Sequence, residues 1–299
     1  MTGAPDLTVV IPSVNGWGDL EPCLRACARL ADAEVEIVVV DRVGSELREA
    51  VARSFPTVRV LAAAAGTTIP RLRAQGIRAA TGRLVGIIED HVIVPPDWAA
   101  RMLAAHGDAT KVVGGAVENA ACDRLTDWAA FLCEYSHCVE PGPPGPADWL
   151  VGNNVTYPRA ELESFLHILD EQRWENELHD AMRAAGIPLE SHPEIRVGHK
   201  KHYRPTEYIE QRYLYSRAFA GIRFASAGPA QRLAFGLAAA FLLPPLLSYR
   251  IVSRVWRTGR HRRELVRSLP LLVPFVLAWA AGELVGAWFG GGTALTRVC

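Results

Sequence analysis

Along residues 7–117 the apolar positions keep two alternating rhythms. Short runs rich in Val and Ile, at residues 7–12, 35–40, 58–62, 84–88 and 112–117, read as buried strands. Between them apolar residues recur every three or four positions. Leu20, Cys23, Leu24, Cys27 and Leu30 set a helix over 17–30, and similar spacing predicts helices over 47–55, 68–80 and 98–105. Strands and helices alternating over short links imply parallel strands with crossover helices, which is the α/β class. In such sheets ligands bind beyond the carboxyl ends of the strands. Two polar clusters fall there: Asp41 after "IVVV", and Glu89-Asp90-His91 after "LVGII".

The middle of the chain is less regular. Residues 123–138 suit a helix. The stretch "VEPGPPGPADW", 139–149, reads as a long loop, because Pro fixes φ and lacks a donor. Helices follow over 173–185, stopped at Gly186, and over 206–223. After Arg232 the pattern turns almost wholly apolar. Residues 233–249 hold roughly 17 uncharged residues, the lower limit for a bilayer span. An arginine-dense segment, 250–267, separates them from a second apolar stretch, 269–290, interrupted by Glu283. The pattern divides the chain into an α/β domain, 1–225, and a membrane-associated region, 226–299.

Charge and cysteine content narrow the partners. The 299 residues carry 32 basic and 32 acidic side chains, so nothing global attracts nucleic acid, and no nucleic-acid partner is expected. The six cysteines, Cys23, Cys27, Cys122, Cys133, Cys138 and Cys299, form no CxxC pair, which argues against structural zinc. The start "MTGAPDLTVVIPS" lacks the basic and apolar regions of a signal peptide, so the first domain is expected in the cytosol.

Several segments, taken in order, carry a resemblance. "VVIPSVNGWGDLEPCL" is similar to an opening strand and loop written VVIPTYN. "EIVVVD" resembles a second strand ending in Asp. "RLRAQGIRAATGRLVGIIEDHVIVPPDW" is similar to ARNxGIxxAxGxxIxFLDxDxxxPxxW. "LVGNNVTYPRAEL" resembles GxNxxxRRxxL, and "WENELHDAMRAAG" resembles EDxDLxxRLxxAG. Over roughly residues 7–217 the chain resembles the family 2 inverting glycosyltransferases of GT-A fold.

That resemblance implies a mostly parallel Rossmann-like sheet and a site at the strand tips. It puts Glu89 and His91 at the two Asp positions of the family's DxD motif, a departure from that motif, with His199 of "VGHKKH" as a further ligand. The cofactor implied is a divalent metal, Mn2+ or Mg2+, which neutralises a diphosphate leaving group. Oxygen donors suit either ion, and imidazole tilts the choice toward Mn2+. The nucleotide-sugar donor would meet Pro12, Asn15, Asp41, Arg73 and Asp90, with Arg71 beside Arg73 as a second cation for the diphosphate. The acceptor would meet Trp149, Asn153, Asn154 and Glu177. Glu175 falls at the catalytic base, at a helix start where the macrodipole favours negative charge.

The expectation is a membrane-associated enzyme that moves one sugar to an acceptor hydroxyl of a lipid-linked or membrane-held glycan. The pattern QxxRW of processive synthases is absent, since "QRYLY" has no Trp, which favours single transfer. The alternatives are a nucleotidyltransferase of similar fold and a non-catalytic nucleotide-sugar-binding membrane protein. A dinucleotide-dependent oxidoreductase is disfavoured, because "PSVNGWG" stands where GxGxxG would be needed. For the tail, residues 233–249 are expected to be re-entrant, with 269–288 the segment that crosses.

Overall fold

The computed structural model describes residues 5–30, 33–139 and 142–298. The first half follows the apolar rhythm closely: β1 (Leu7–Ser13), α1 (Trp17–Cys27), β2 (Val35–Asp41), α2 (Ser45–Ser54), β3 (Arg59–Ala62), α3 (Ile69–Ala79) and β4 (Leu84–Ile87). A short β5 (Val92–Ile93), α4 (Trp98–His106), β6 (Val112–Asn119) and α5 (Leu125–Val139) come next. Then follow β7 (Gly145–Pro146), β8 (Val155–Pro158), α6 (Arg159–Glu163), α7 (Leu166–Asp170), α8 (Glu175–Ala184) and β9 (Leu189–His199). The chain ends in α9 (Pro205–Arg223), α10 (Pro229–Phe241), α11 (Leu243–Thr258), α12 (Arg262–Phe289) and α13 (Ala294–Arg297).

The strands form one mixed sheet in the order β3-β2-β1-β4-β8-β6-β9-β5, with β7 also on β9. β1, β2, β3 and β4 are parallel, and so are β6 and β9. β8 is reversed between β4 and β6. The parallel register sets Ser13 beside Asp41 and Val10 beside Ile87, so the ends of β1, β2 and β4 open on one rim. Val10, Ile77, Val85, Val155, Tyr157 and Met182 belong to one buried cluster that joins the sheet to α3 and α8.

Three differences from the sequence reading have physical causes. The loop expected over 139–149 contains β7, whose Pro146 is tolerated because the pair with β9 is an edge pair; Glu140 and Pro141 lie outside the described residues. β8 lies where the sequence reading placed no element. β9 carries Pro193 and several charges, yet pairs with β6 across a register shift between Gly114 and Ala116. The bulged stretch absorbs the missing donor of Pro193. The expected stop of α8 holds, with Gly186 at φ +85°.

The chain divides into two compact units, Met1–Ala120 with Pro141–Lys200, and Ala121–Glu140 with Lys201–Cys299. α5 and α9 therefore group with the C-terminal helices, rather than with the α/β domain drawn at 1–225. In that second unit α9 packs along α12. α10 and α11 are bent by 49° at their junction, next to Pro244-Pro245. Proline fits the first turn of a helix but cannot continue the preceding one. Among the described residues α12, 28 residues long, is long and apolar enough to cross a bilayer, and α10 with α11 makes a second candidate only if the bent pair counts as one span.

Candidate active site

The turn after β4 is where the chemistry collects. Val92 donates its backbone N–H to the Glu89 carbonyl at 3.0 Å, closing a tight turn that carries Glu89, Asp90 and His91. β9 then brings His199 into register with Val92, beside that turn. The Lys200 N–H to His91 carbonyl bond, 3.0 Å, fixes this edge. The two imidazoles meet through Nε2 atoms 2.9 Å apart, and Glu89 Oε2 lies 3.4 Å from His91 Nε2. Donor atoms of Glu89, His91 and His199 all lie within 4.8 Å of one another.

This donor set fits a divalent cation. Two imidazole nitrogens facing each other need a proton between them, and a cation satisfies both lone pairs at once. Asp90 Oδ1 sits 3.0 Å from His91 Nδ1, which holds the proton on Nδ1 and leaves Nε2 as the ligand atom. Surrounding protein disfavours a charged imidazole, but Asp90 and Glu89 overcome this and raise His91 to about 9. Burial likewise pushes the Glu89 carboxyl up, and His91, Arg73 and His199 outweigh it and bring it to about 2. The two shifts are the mutual stabilisation of one ion pair, in which a bound cation would take the place of the proton on His91 Nε2. A carboxylate with two imidazoles suits Mn2+ better than Mg2+.

Arg73 of α3 links this cluster to the start of α8. It is almost fully buried; its Nη1 donates to Glu175 Oε2 at 2.7 Å and its Nη2 lies 3.7 Å from Glu89 Oε1. Glu175, the first residue of α8, is therefore tied through one guanidinium to the candidate metal ligand. Asn153 completes the arrangement, donating Nδ2 to Glu89 Oε2 at 3.0 Å. Trp149, on the segment between β7 and β8, is 44% exposed and offers a broad apolar face.

The other expected contact residues have partners within the fold. Asp41, expected at the donor, is fully buried. It accepts from Val43 N, Gly44 N and Arg48 Nη1 at 2.8, 3.2 and 2.8 Å, so it builds the β2–α2 turn. Asp90 was expected at the donor. Instead Val14 N, Asn15 N and Asn15 Nδ2 donate to it at 2.8, 2.8 and 2.7 Å, and it orients His91. Asn15 is thereby engaged in the same loop. Asn154 accepts from Trp98 Nε1 and donates to the Ala116 and Ile195 carbonyls, pinning β8 between neighbours. Pro12 is a buried strand residue paired in register with Val40. Arg71 donates to the Asp170 carbonyl, not toward the cluster. Glu177 pairs with Arg173, 3.4 Å away, so Glu175 and not Glu177 holds the contact with Arg73.

Two features escaped the sequence reading. Gly152 lies directly against the Glu175 side chain. Behind Glu175, Tyr157 OH and His179 Nε2 form a buried 2.8 Å hydrogen bond. His179 stands one helical turn after Glu175, and that spacing was the available signal.

The sequence model of glycosyl transferase family 2 matches residues 8–155. No curated protein sequence matches the chain significantly. Among solved structures, the mannosyltransferase PcManGT from Pyrobaculum calidifontis, in complex with GDP-Man and Mn2+, is similar at a TM-score of 0.58 and 16% identity, over 95% of this chain and 88% of that one. GalNAc-T7 with UDP, GalNAc and Mn2+ is similar at a TM-score of 0.51 and 17% identity, over 73% of this chain and 51% of that one. TarS 1-349 of S. aureus in complex with UDP gives 0.50 and 13% identity, over 94% and 90%. At these identities the likeness is one of fold.

Proposed function

We propose that this chain, whose residues 8–155 match the sequence model of glycosyl transferase family 2, is a glycosyltransferase that transfers one sugar, with inversion, from a nucleoside-diphosphate sugar to an acceptor hydroxyl held at a membrane. The observation that carries this reading is the junction at Arg73: one guanidinium touches Glu175 and faces Glu89 of the Glu89–His91–His199 cluster. A leaving-group site and a base on the acceptor side are the two parts that an inverting displacement needs. The fold neighbours solved with GDP-Man or UDP support a nucleotide donor.

In this scheme the acceptor oxygen attacks the anomeric carbon as the carbon–oxygen bond to the diphosphate breaks. The electron pair of that bond leaves with the nucleoside diphosphate, and the acceptor proton passes to the Glu175 carboxylate. Mn2+ bound by Glu89, His91 and His199 would supply Lewis-acid stabilisation of the leaving charge. Arg73 holds Glu175 in place and adds positive charge near the breaking bond. Asn153 fixes Glu89, Asp90 fixes His91, and Trp149 offers a face for stacking on a sugar ring.

The test is Glu175→Gln, which keeps shape and removes basicity. Donor binding, read as a rise in melting temperature, should persist. Nucleoside diphosphate release with acceptor should fall at least ~100-fold. Near-normal turnover of folded Glu175→Gln sinks the base assignment, and a product of retained anomeric configuration sinks inversion.

A further inference from the structure

The C-terminal unit carries an apolar surface that its own packing leaves uncovered. Leu242, Leu246, Tyr249 and Trp256, at the start of α11 and along it, are exposed and recur near multiples of a helical turn. On α12, Val266, Leu269, Val273 and Leu277 repeat every three or four residues as an exposed stripe. Exposed Arg250, Arg257, Arg260, Arg263 and Arg267 flank these stripes and crowd the α11–α12 junction. Repeated stripes of exposed large apolar side chains are unusual on soluble monomers unless something covers them.

The opposite side of α12 is committed to protein. A Cβ at Gly282 or Gly286 would come within 2.4 Å of the carbonyl oxygens of Tyr213 and Arg217, so α9 and α12 touch backbone to backbone. Buried Arg212 of α9 lies 4.2 Å from the Trp279 ring of α12, and Arg223 of α9 pairs with Glu283 of α12 at 3.3 Å. α9 therefore goes wherever α12 goes. It also carries Glu207, Glu210, Arg212, Arg217 and Arg223. At 28 residues, about 42 Å, α12 is long enough to cross, but its partner helix is too charged to accompany it into hydrocarbon.

We propose that the α10–α12 face docks in the plane of an anionic bilayer surface and that no described helix crosses it. Apolar stripes enter the headgroup boundary while the arginines meet anionic lipid, the pattern of an interfacial anchor. A second copy of this chain fits less well, because a two-fold pairing of the stripes sets one arginine rim against the other. The inference deepens the membrane-held acceptor proposed above and rests on that reading only for the acceptor's location.

The full chain is floated with phosphatidylcholine vesicles, with and without about one third phosphatidylglycerol. Binding should need the anionic lipid, and partitioning should fall roughly fivefold for each arginine neutralised among Arg257→Gln, Arg260→Gln and Arg263→Gln, with melting temperature unchanged. In sealed membranes from expressing cells, Arg260→Cys and Thr296→Cys, each with Cys122→Ser and Cys299→Ser, should label from the same side. Equal flotation with neutral vesicles, labelling from opposite sides, or self-association in place of flotation each overturns the proposal. Nucleoside diphosphate release from the same samples keeps the two readings apart. Flotation without release sinks only the transferase mechanism, and release without flotation sinks only the docking surface.

Discussion

Gly152→Ala should disable the site without unfolding the protein. A Cβ built at Gly152 would stand 2.4 Å from Glu175 Cδ and 2.6 Å from both Cγ and Oε1. Ordinary contact begins near 3.4 Å, so the carboxylate must retreat by about 1 Å. The group displaced is the end of a flexible side chain, so the packing cost is ~1 kcal/mol, at the low end for an inserted methyl. Removing a glycine from the unfolded chain returns about half of that or more. Melting temperature should therefore move by only a few degrees. Catalysis should suffer far more, because a 1 Å misplacement costs roughly 100-fold in rate, and the 2.7 Å bond from Arg73 that orients Glu175 is broken or bent. The assay is nucleoside diphosphate release under saturating donor and acceptor, with donor binding followed by thermal shift. Glu175→Ala supplies the control, since it removes the Cγ, Cδ and Oε1 atoms that the methyl would meet. On that background Gly152→Ala should cost no more than a few-fold, a strong non-additivity between touching residues. Full turnover of folded Gly152→Ala, or equal losses on both backgrounds, refutes the reasoning.

Excess EDTA should abolish transfer and added Mn2+ restore it, while His91→Ala should lose most activity and the Mn2+-induced rise in melting temperature; undiminished transfer in EDTA removes the metal site. Asp90→Asn keeps one oxygen for the Val14 and Asn15 N–H groups but turns an amide NH2 toward Asn15 Nδ2 and His91 Nδ1, so stability should fall by roughly 1–3 kcal/mol per orphaned group and Mn2+ affinity by about 10–100-fold; a normal denaturation midpoint with normal Mn2+ affinity contradicts the positioning role. Burial lowers both His106 and His179 to about 4. Their folded values lie below the unfolded value of about 6.5, so the unfolded chain takes up protons first on acidification. Stability is full above pH ~6.5 and declines toward pH ~4, by up to about 3 kcal/mol per histidine. His106→Gln should flatten part of that slope, and a wild-type melting temperature constant between pH 6.5 and 4.5 would count against it.

Much of the sheet was legible because β1, β2 and β4 are Val- and Ile-rich runs whose pattern survives any context. β9 was not, because "LESHPEIRVGH" has neither alternation nor an apolar run. Its pairing depends on β6 and on a bulge that only the folded sheet defines. At the site, residue type and strand-end position pointed to Glu89 and His91, and the family resemblance pointed to His199. Asp41, Asp90 and Asn154 spend their side chains on hydrogen bonds within the fold. Position on the rim says which groups are near a ligand, but not whether backbone N–H groups have already taken their oxygens. The Arg73–Glu175 contact joins residues 102 positions apart, and no local pattern reports such a pair.

The place of His199 at the end of the last strand has a consequence for synthesis. Glu89 and His91 emerge from the ribosome early, within the half of the sheet that local βα units assemble. His199 arrives only when β9 closes against β6, with Leu189 reaching back to Val112, and against β5. Long-range closure of this kind is slow compared with local pairing. Until it occurs, the acidic turn has two of its three donors and no native grip on a cation. An ion that binds only the finished arrangement stabilises the finished arrangement, so Mn2+ would act as a clasp on the sheet's final edge. Cofactor starvation would then show first as fraying of β5 and β9, before any loss of the older half of the fold.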